Sequence, residues 1–124
     1  MSEKEMTQKI VEGYSKAWAS GDLESARTFL ADDLEFRGSI DNFNDADSLI
    51  SAISVFLHIL KSVEIISTFY DENEAILMYD CVTDSPAGTI RTVEYFKVDS
   101  GRIKEIKLVF DASELRKHMV TKNK

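Results

Sequence analysis

Apolar and aromatic residues recur at Met6, Ile10, Val11, Tyr14, Ala17 and Trp18, the spacing of a helix with one inward face. Ser2 followed by Glu5 has capping-box spacing and predicts where that helix starts. Gly21 suits a left-handed stop, and Asp22 can cap a second short helix whose inward stripe is Leu23, Ala26, Phe29 and Leu30. Asp32-Asp33 then reads as a turn into a short strand in which Leu34 and Phe36 share a face that Gly38 would continue. A polar loop through Asn42 leads to a third helix, capped by Asn44 or Asp45. This helix carries Leu49, Ile50, Ile53, Phe56, Leu57 and Leu60 on one side and Val55 and Ile59 on another, so cover on two sides is expected.

From residue 62 the period changes to two. Val63 to Tyr70, Ala75 to Thr83, Thr89 to Val98 and Arg102 to Phe110 are rich in β-branched and aromatic residues and read as strands. The turns between them, including Asp84 to Gly88 and Asp99 to Gly101, are too short for a crossover helix, so neighbouring strands must be antiparallel. Three helices against a long curved meander predict an α+β fold, a cone of three N-terminal helices on a mostly antiparallel sheet. Within the strands two registers are open. We adopt the one that turns Leu77, Tyr79 and Cys81 inward and Asp80 outward; a slip by one residue would make Asp80 a pocket acid.

At 124 residues and 44% hydrophobic content, the chain can bury one core but not two, so residues 1–124 form one domain with a short polar tail from about residue 113. A net charge of -7 would repel a phosphate backbone and argues against a nucleic-acid partner. The basic residues at the end, Arg116, Lys117, Lys122 and Lys124, read as a solvated tail. The N-terminus lacks the basic start and apolar core of a signal peptide, and no stretch reaches the roughly 20 apolar residues of a membrane span; no membrane partner and a cytoplasmic location are expected. Cys81 has no partner cysteine and sits in an apolar strand, so it reads as a buried structural thiol. With only His58 and His118, and no histidine-carboxylate spacing, no metal site is expected, nor any other cofactor; His58 belongs at a helix flank or a dimer edge.

The segment Tyr14 to Phe36, the run Tyr95-Phe96-Lys-Val-Asp-Ser-Gly-Arg102-Ile-Lys-Glu-Ile and the closing Phe110-Asp111 resemble the nuclear transport factor 2-like superfamily. Within it the chain is most similar to SnoaL-like polyketide cyclases and ketosteroid isomerases, over about residues 4–112. The resemblance implies a cystatin-like cone, often homodimeric, in a superfamily of isomerases, cyclases, epoxide hydrolases, dehydratases and non-enzymatic transport or scaffold proteins. Against the ketosteroid isomerase pattern, Tyr14 matches the oxyanion-binding tyrosine and Glu94 the protonated acid that donates beside it. The general base of that pattern falls at Gly38, which cannot accept a proton. Of the Asp-Arg-Asp set that the epoxide hydrolase branch uses, Asp80 could supply one acid, while Met78 and Leu108 occupy the approximate places of the other two.

Glu94 is the sharpest candidate. If Thr92, Glu94 and Phe96 face inward, the carboxyl lies among aromatics and desolvation raises its pKa towards that of a useful acid or base; in the other register it pairs with a basic residue in solvent. Tyr14 is inside in either case, as a donor to a substrate carbonyl or as a packed tyrosine. Trp18, Phe36, Tyr79, Phe96, Leu108 and Phe110 could line a pocket or simply form core. The expectation is a homodimer whose cone binds a small, largely apolar molecule and supports proton-transfer chemistry of the isomerase or cyclase type. The alternative is a non-catalytic ligand-binding or dimeric interaction module.

Overall fold

Helix α1 (Glu3–Ala19) begins where the Ser2 side chain accepts the Glu5 amide, and Glu3 and Glu5 lie in its first turn, at the positive end of the helix dipole. The structure, a computed structural model, describes residues 2–113; the basic tail and His118 lie outside the described residues. Ile10, Val11, Tyr14, Ala17 and Trp18 are buried as the helical period requires. Met6, expected on that face, is exposed, and Thr7 is buried instead, its hydroxyl donating to the Glu72 carbonyl at 2.7 Å. That bond ties the helix to a strand turn, and the polar side chain goes inward because it has a partner there.

Gly21 takes the left-handed conformation at φ 85° that ends the first helical segment, and Asp22 caps α2 (Leu23–Thr28) by accepting the Ser25 amide. Phe29 folds back onto α1 where Gly13 stands: a β-carbon at Gly13 would lie 2.5 Å from Phe29 Cζ. Leu30, expected on the helix stripe, opens strand β1 (Leu30–Arg37). Asp32-Asp33 is therefore not a turn. The pair lies within β1, where a bulge between Leu30 and Glu35 turns both carboxylates to solvent, Asp32 against Arg27 and Asp33 against Lys104, each at 2.7 Å. The expected loop at Asn42 is a two-residue strand, β2 (Asn42–Phe43), paired so that Phe43 lies opposite Phe36.

Asp45 caps α3 (Ala46–Phe56), which ends earlier than its apolar pattern suggests. His58 and Ile59 lie in the turn beyond it, and Leu60 begins β3 (Leu60–Tyr70). Val55 is 68% exposed, so α3 is covered on one side only within this chain. Strands β4 (Glu74–Thr83), β5 (Thr89–Asp99) and β6 (Arg102–Phe110) complete a curved six-stranded sheet of order β2-β1-β6-β5-β4-β3. The last four strands form the expected antiparallel meander. Strand β1 joins β6 in parallel, a pairing that local turn lengths cannot reveal because the chain passes through α3 and four strands between the two.

Strand alternation divides the sheet into an inner face under α1 and α3 and an outer one. Leu77, Tyr79 and Cys81 of β4 and Ile90, Thr92, Glu94, Phe96 and Val98 of β5 are buried on the inner face, together with Ile103 and Ile106 of β6. Asp80 faces outward, in a bidentate pair with Arg91 at 2.8 and 3.0 Å. No helix among the described residues is long and apolar enough to cross a membrane.

The Phe29 contact makes Gly13 a packing requirement. A Gly13→Val substitution is expected to lower stability by about 2 kcal/mol through overpacking, read as a lower urea midpoint with an unchanged slope.

Candidate functional site

Helices α1 and α3 do not close completely over the inner face of the sheet, and between them lies a cavity of about 220 Å³. Its walls are apolar: Phe36 from β1, Leu49, Ile53 and Phe56 from α3, Ile90 from β5, and Leu108 and Phe110 from β6. Residues 38–41 and Phe43 form one side. The polar side chains on the sheet wall and under α1 are few, namely Glu94, Tyr79, Tyr14, Thr92 and Cys81.

Glu94 reaches the cavity because β5 alternates with Ile90, Thr92, Phe96 and Val98, all of which are buried on the same face. Its ladder neighbours are Leu77 on β4 and Leu108 on β6, so the carboxyl is flanked by aliphatic side chains and has no cation beside it in the ladder. Only 2% of the residue is exposed. Burial pushes its pKa up to about 7, against the opposing effect of the Tyr79 hydroxyl, which donates to Oε1 at 2.8 Å and favours the charged form. Near neutral pH both protonation states are populated, so the group can take up and give back a proton.

The two phenols act as donors. Burial first and the Glu94 charge second hold both Tyr14 and Tyr79 well above the usual tyrosine pKa, so their protons stay on. Tyr79 spends its proton on Glu94 and leans on Trp18, with ring centroids 6.1 Å apart. Tyr14 sets its ring edge-on to Phe96 at 6.0 Å, and no protein group among the described residues hydrogen-bonds its hydroxyl. Burial, followed by the Glu94 charge, pushes the Cys81 thiol up to about 12, which leaves it protonated and a poor nucleophile.

The structure thus brings Tyr14 and Glu94 to one cavity, with Trp18, Phe36, Tyr79, Leu108 and Phe110 on its wall. Phe96 is not on that wall. It is wholly buried beneath Tyr14, because the strand curves under α1 at that point and the ring fills the space. Glu94 is hydrogen-bonded by Tyr79 and not by Tyr14, a pairing that sequence reading missed although the inward register adopted for β4 already turned Tyr79 to the same face. Thr92, Cys81 and the α3 residues on the wall were missed as well. His58 is exposed beyond the end of α3 and takes no part.

Gly38 stands at the cavity edge, its amide donating to the Asp41 carbonyl at 2.9 Å in a tight turn. A β-carbon there would lie 2.9 Å from Phe36 Cε1 and 3.1 Å from the Asp41 carbonyl oxygen, so the site has no room for an acidic side chain as it is packed. Among the described residues no three histidine, cysteine, aspartate or glutamate side chains cluster as metal ligands.

A family model described as SnoaL-like domain matches residues 11–106. No curated protein matches the chain. Among solved structures, a protein from Kribbella flavida DSM 17836 has a similar fold with a TM-score of 0.83 at 24% identity, over 93% of this chain and 94% of that one. A nuclear transport factor 2-like protein of unknown function from Cytophaga hutchinsonii ATCC 33406 matches with a TM-score of 0.76 at 18% identity, over 89% and 94%. An LEH-like epoxide hydrolase of M. tuberculosis matches with a TM-score of 0.75 at 17% identity, over 96% and 92%. At these identities the likeness is one of fold and does not carry an activity across.

The raised Glu94 pKa has a consequence for stability. Below about pH 4.5, its ordinary value, the carboxyl is protonated in the folded and unfolded chains alike. As pH rises towards 7 the unfolded chain releases this proton more readily than the folded one, so stability falls across that window and then levels off. A Glu94→Gln variant, which still accepts from Tyr79, is expected to lose this dependence and to exceed the parent by roughly 2 to 4 kcal/mol near pH 8 in chemical denaturation.

Proposed function

The chain belongs to the SnoaL-like domain family, and on that premise we propose that its cavity is a proton-transfer centre for a small, largely apolar molecule. One observation carries the reading: a carboxyl buried in an otherwise apolar cavity, titrating near neutrality and held by a phenol at 2.8 Å. Ionised Glu94 takes a proton from a carbon next to a carbonyl. The Tyr14 hydroxyl donates to the carbonyl oxygen as negative charge gathers there, and Glu94 then returns the proton to the substrate at a second position. Tyr79 positions the carboxyl and moderates its pKa. The base is thus on β5, at Glu94, and no acid at position 38 is needed.

The test uses a probe that asks only for a desolvated base. In the elimination of 5-nitrobenzisoxazole a base removes the ring C–H proton, the N–O bond breaks, and a cyanophenolate is released. Turnover is expected to rise with pH and level off above about 7, following Glu94 ionisation. Glu94→Gln should lower it about 100-fold or more. Tyr79→Phe should keep turnover but move the apparent pKa upward, since the lost hydrogen bond favoured the charged form. Full turnover by a folded Glu94→Gln protein sinks the assignment.

A non-catalytic binding role is favoured by one feature, the packed glycine at position 38. Saturable binding of the same probe without turnover, equal in the parent and in Glu94→Gln, would support that reading instead.

We propose in addition that two copies associate through the outer face of the sheet. Phe69, Ile76 and Val109 are 67%, 43% and 63% exposed there. The patch is continuous, because Phe69 pairs with Ile76, Ile76 with Tyr95, Met78 with Val93 and Val93 with Val109 across four strands. Self-association about a two-fold axis covers it with an identical patch. Sedimentation velocity at micromolar concentration should give a dimer for the parent and a monomer for Phe69→Glu; a monomeric parent overturns the proposal.

A further inference from the structure

The Glu94 carboxyl leaves one of its two oxygens open to the cavity. Oε1 accepts from Tyr79 at 2.8 Å, and among the described residues no group bonds Oε2. The unpartnered side-chain atoms that are sealed off, among the described residues, are Ser15 Oγ and Trp18 Nε1 of α1. Oε2 is not one of them, so it presents surface to the cavity that Glu94 lines. No lysine, arginine or histidine among the described residues lines that cavity. We propose that the cavity binds a protonated tertiary amine with an apolar body, whose single N–H donates to Glu94 Oε2.

An ionised carboxylate only accepts, so its partner must donate, and a cationic donor forms the stronger bond. Glu94 is out of water before any ligand arrives, so the pairing is opposed mainly by desolvation of the ligand. A tertiary ammonium keeps that opposition small. It has one N–H, which matches the one open oxygen, and three carbon arms, which match apolar walls. Trp18, Phe36, Phe56, Tyr79 and Phe110 line the cavity, and aromatic surroundings suit a positive charge spread over N-methyl groups. A primary ammonium would bring two further N–H groups against walls that are largely apolar. An anion would meet the Glu94 charge with no cation on the walls to offset it.

The groups around Glu94 leave it to set the pH response alone. Tyr14 on α1 and Tyr79 and Cys81 on β4 hold their protons well above neutrality. Strand β6 contributes Leu108, and α3 presents no titratable side chain to the cavity. Asp41, in the turn that forms one side, is exposed and carries the same sign as Glu94. The amine therefore pairs with the ionised form of Glu94, and its affinity rises with pH through about 7. The proposal rests on the cavity and the carboxyl of the proton-transfer reading, but it needs binding and no turnover, so the two are scored by different measurements.

The test titrates the full chain with N,N-dimethylbenzylamine, cationic below its own pKa, and with two probes of similar shape, neutral benzyl methyl ether and anionic phenylacetate. At about pH 8 calorimetry should show the amine bound about tenfold more tightly than the ether, with phenylacetate weakest. The amine should lose about tenfold in affinity between about pH 8 and about pH 5.5, as Glu94 takes up its proton, while the ether should not change. Glu94→Gln, which keeps an acceptor without the charge, should bring the amine to the level of the ether at both pH values. Nuclear Overhauser contacts from the N-methyl protons to the Ile53 and Leu108 methyl groups should place the amine in the cavity. Equal affinity for amine and ether, an amine affinity unchanged by pH or in a folded Glu94→Gln protein, tighter binding of phenylacetate, or contacts to Val63 and Ile65 of β3 instead would each overturn the proposal. Benzisoxazole turnover without amine binding removes this proposal alone, and amine binding without turnover removes the proton-transfer reading alone.

Discussion

The position of Phe96 governs the rest of the molecule. Wholly buried, it takes the edge-on contact of Tyr14 and so sets the height of α1 above the sheet and the register of β5 together. Because side chains alternate along a strand, burying Phe96 obliges Glu94 and Thr92 to face the same way. A strand slipped by one residue would gain Val93 and Tyr95 inside but would take Tyr95 from Glu74, whose carboxylate its hydroxyl meets at 2.5 Å, and from Lys107, which lies 5.5 Å from its ring centre. Packing on one face and polar contacts on the other thus choose the same register. The buried carboxyl is a consequence of where an aromatic ring must go.

Burying that carboxyl sets stability against reactivity. The same apolar surroundings that make ionised Glu94 costly make it a stronger base than it would be in water, and the Tyr79 hydrogen bond moderates both effects. A cation in place of Tyr79 would stabilise the charged carboxylate and return its pKa towards that of an exposed group. A phenol keeps it near neutrality.

The helices and the meander were legible in the sequence because their signals are local: a serine and two aspartates at caps, a left-handed glycine, and turns too short to hold a helix. The parallel partnership of β1 with β6 was not legible, since nothing in 34–37 marks its distant partner. Nor was the early end of α3, where apolar residues run on from the helix through Ile59 into Leu60 of β3, interrupted by His58 alone. The inward turn of Glu94 stayed open for a similar reason. Strand β5 carries Ile90, Phe96 and Val98 on one face and Val93 and Tyr95 on the other, so hydrophobicity alone cannot say which face is the core. The Tyr79 bond to Glu94 followed only once two strand registers were known together.

The glycine at position 38 also bears on how such a cavity can change over generations. With Phe36 packed as it is, an aspartate introduced there would collide with the ring and with a backbone carbonyl before it could serve any chemistry. A smaller residue at 36 would relieve the contact with the ring, but by itself that change opens a hole in the wall. The two substitutions are therefore coupled, and the route by single steps crosses a less stable intermediate. In a lineage that carries Phe36, an acid at position 38 is hard to acquire by chance mutation, and new activity has an easier path through the residues that already face the cavity from β4 and β5.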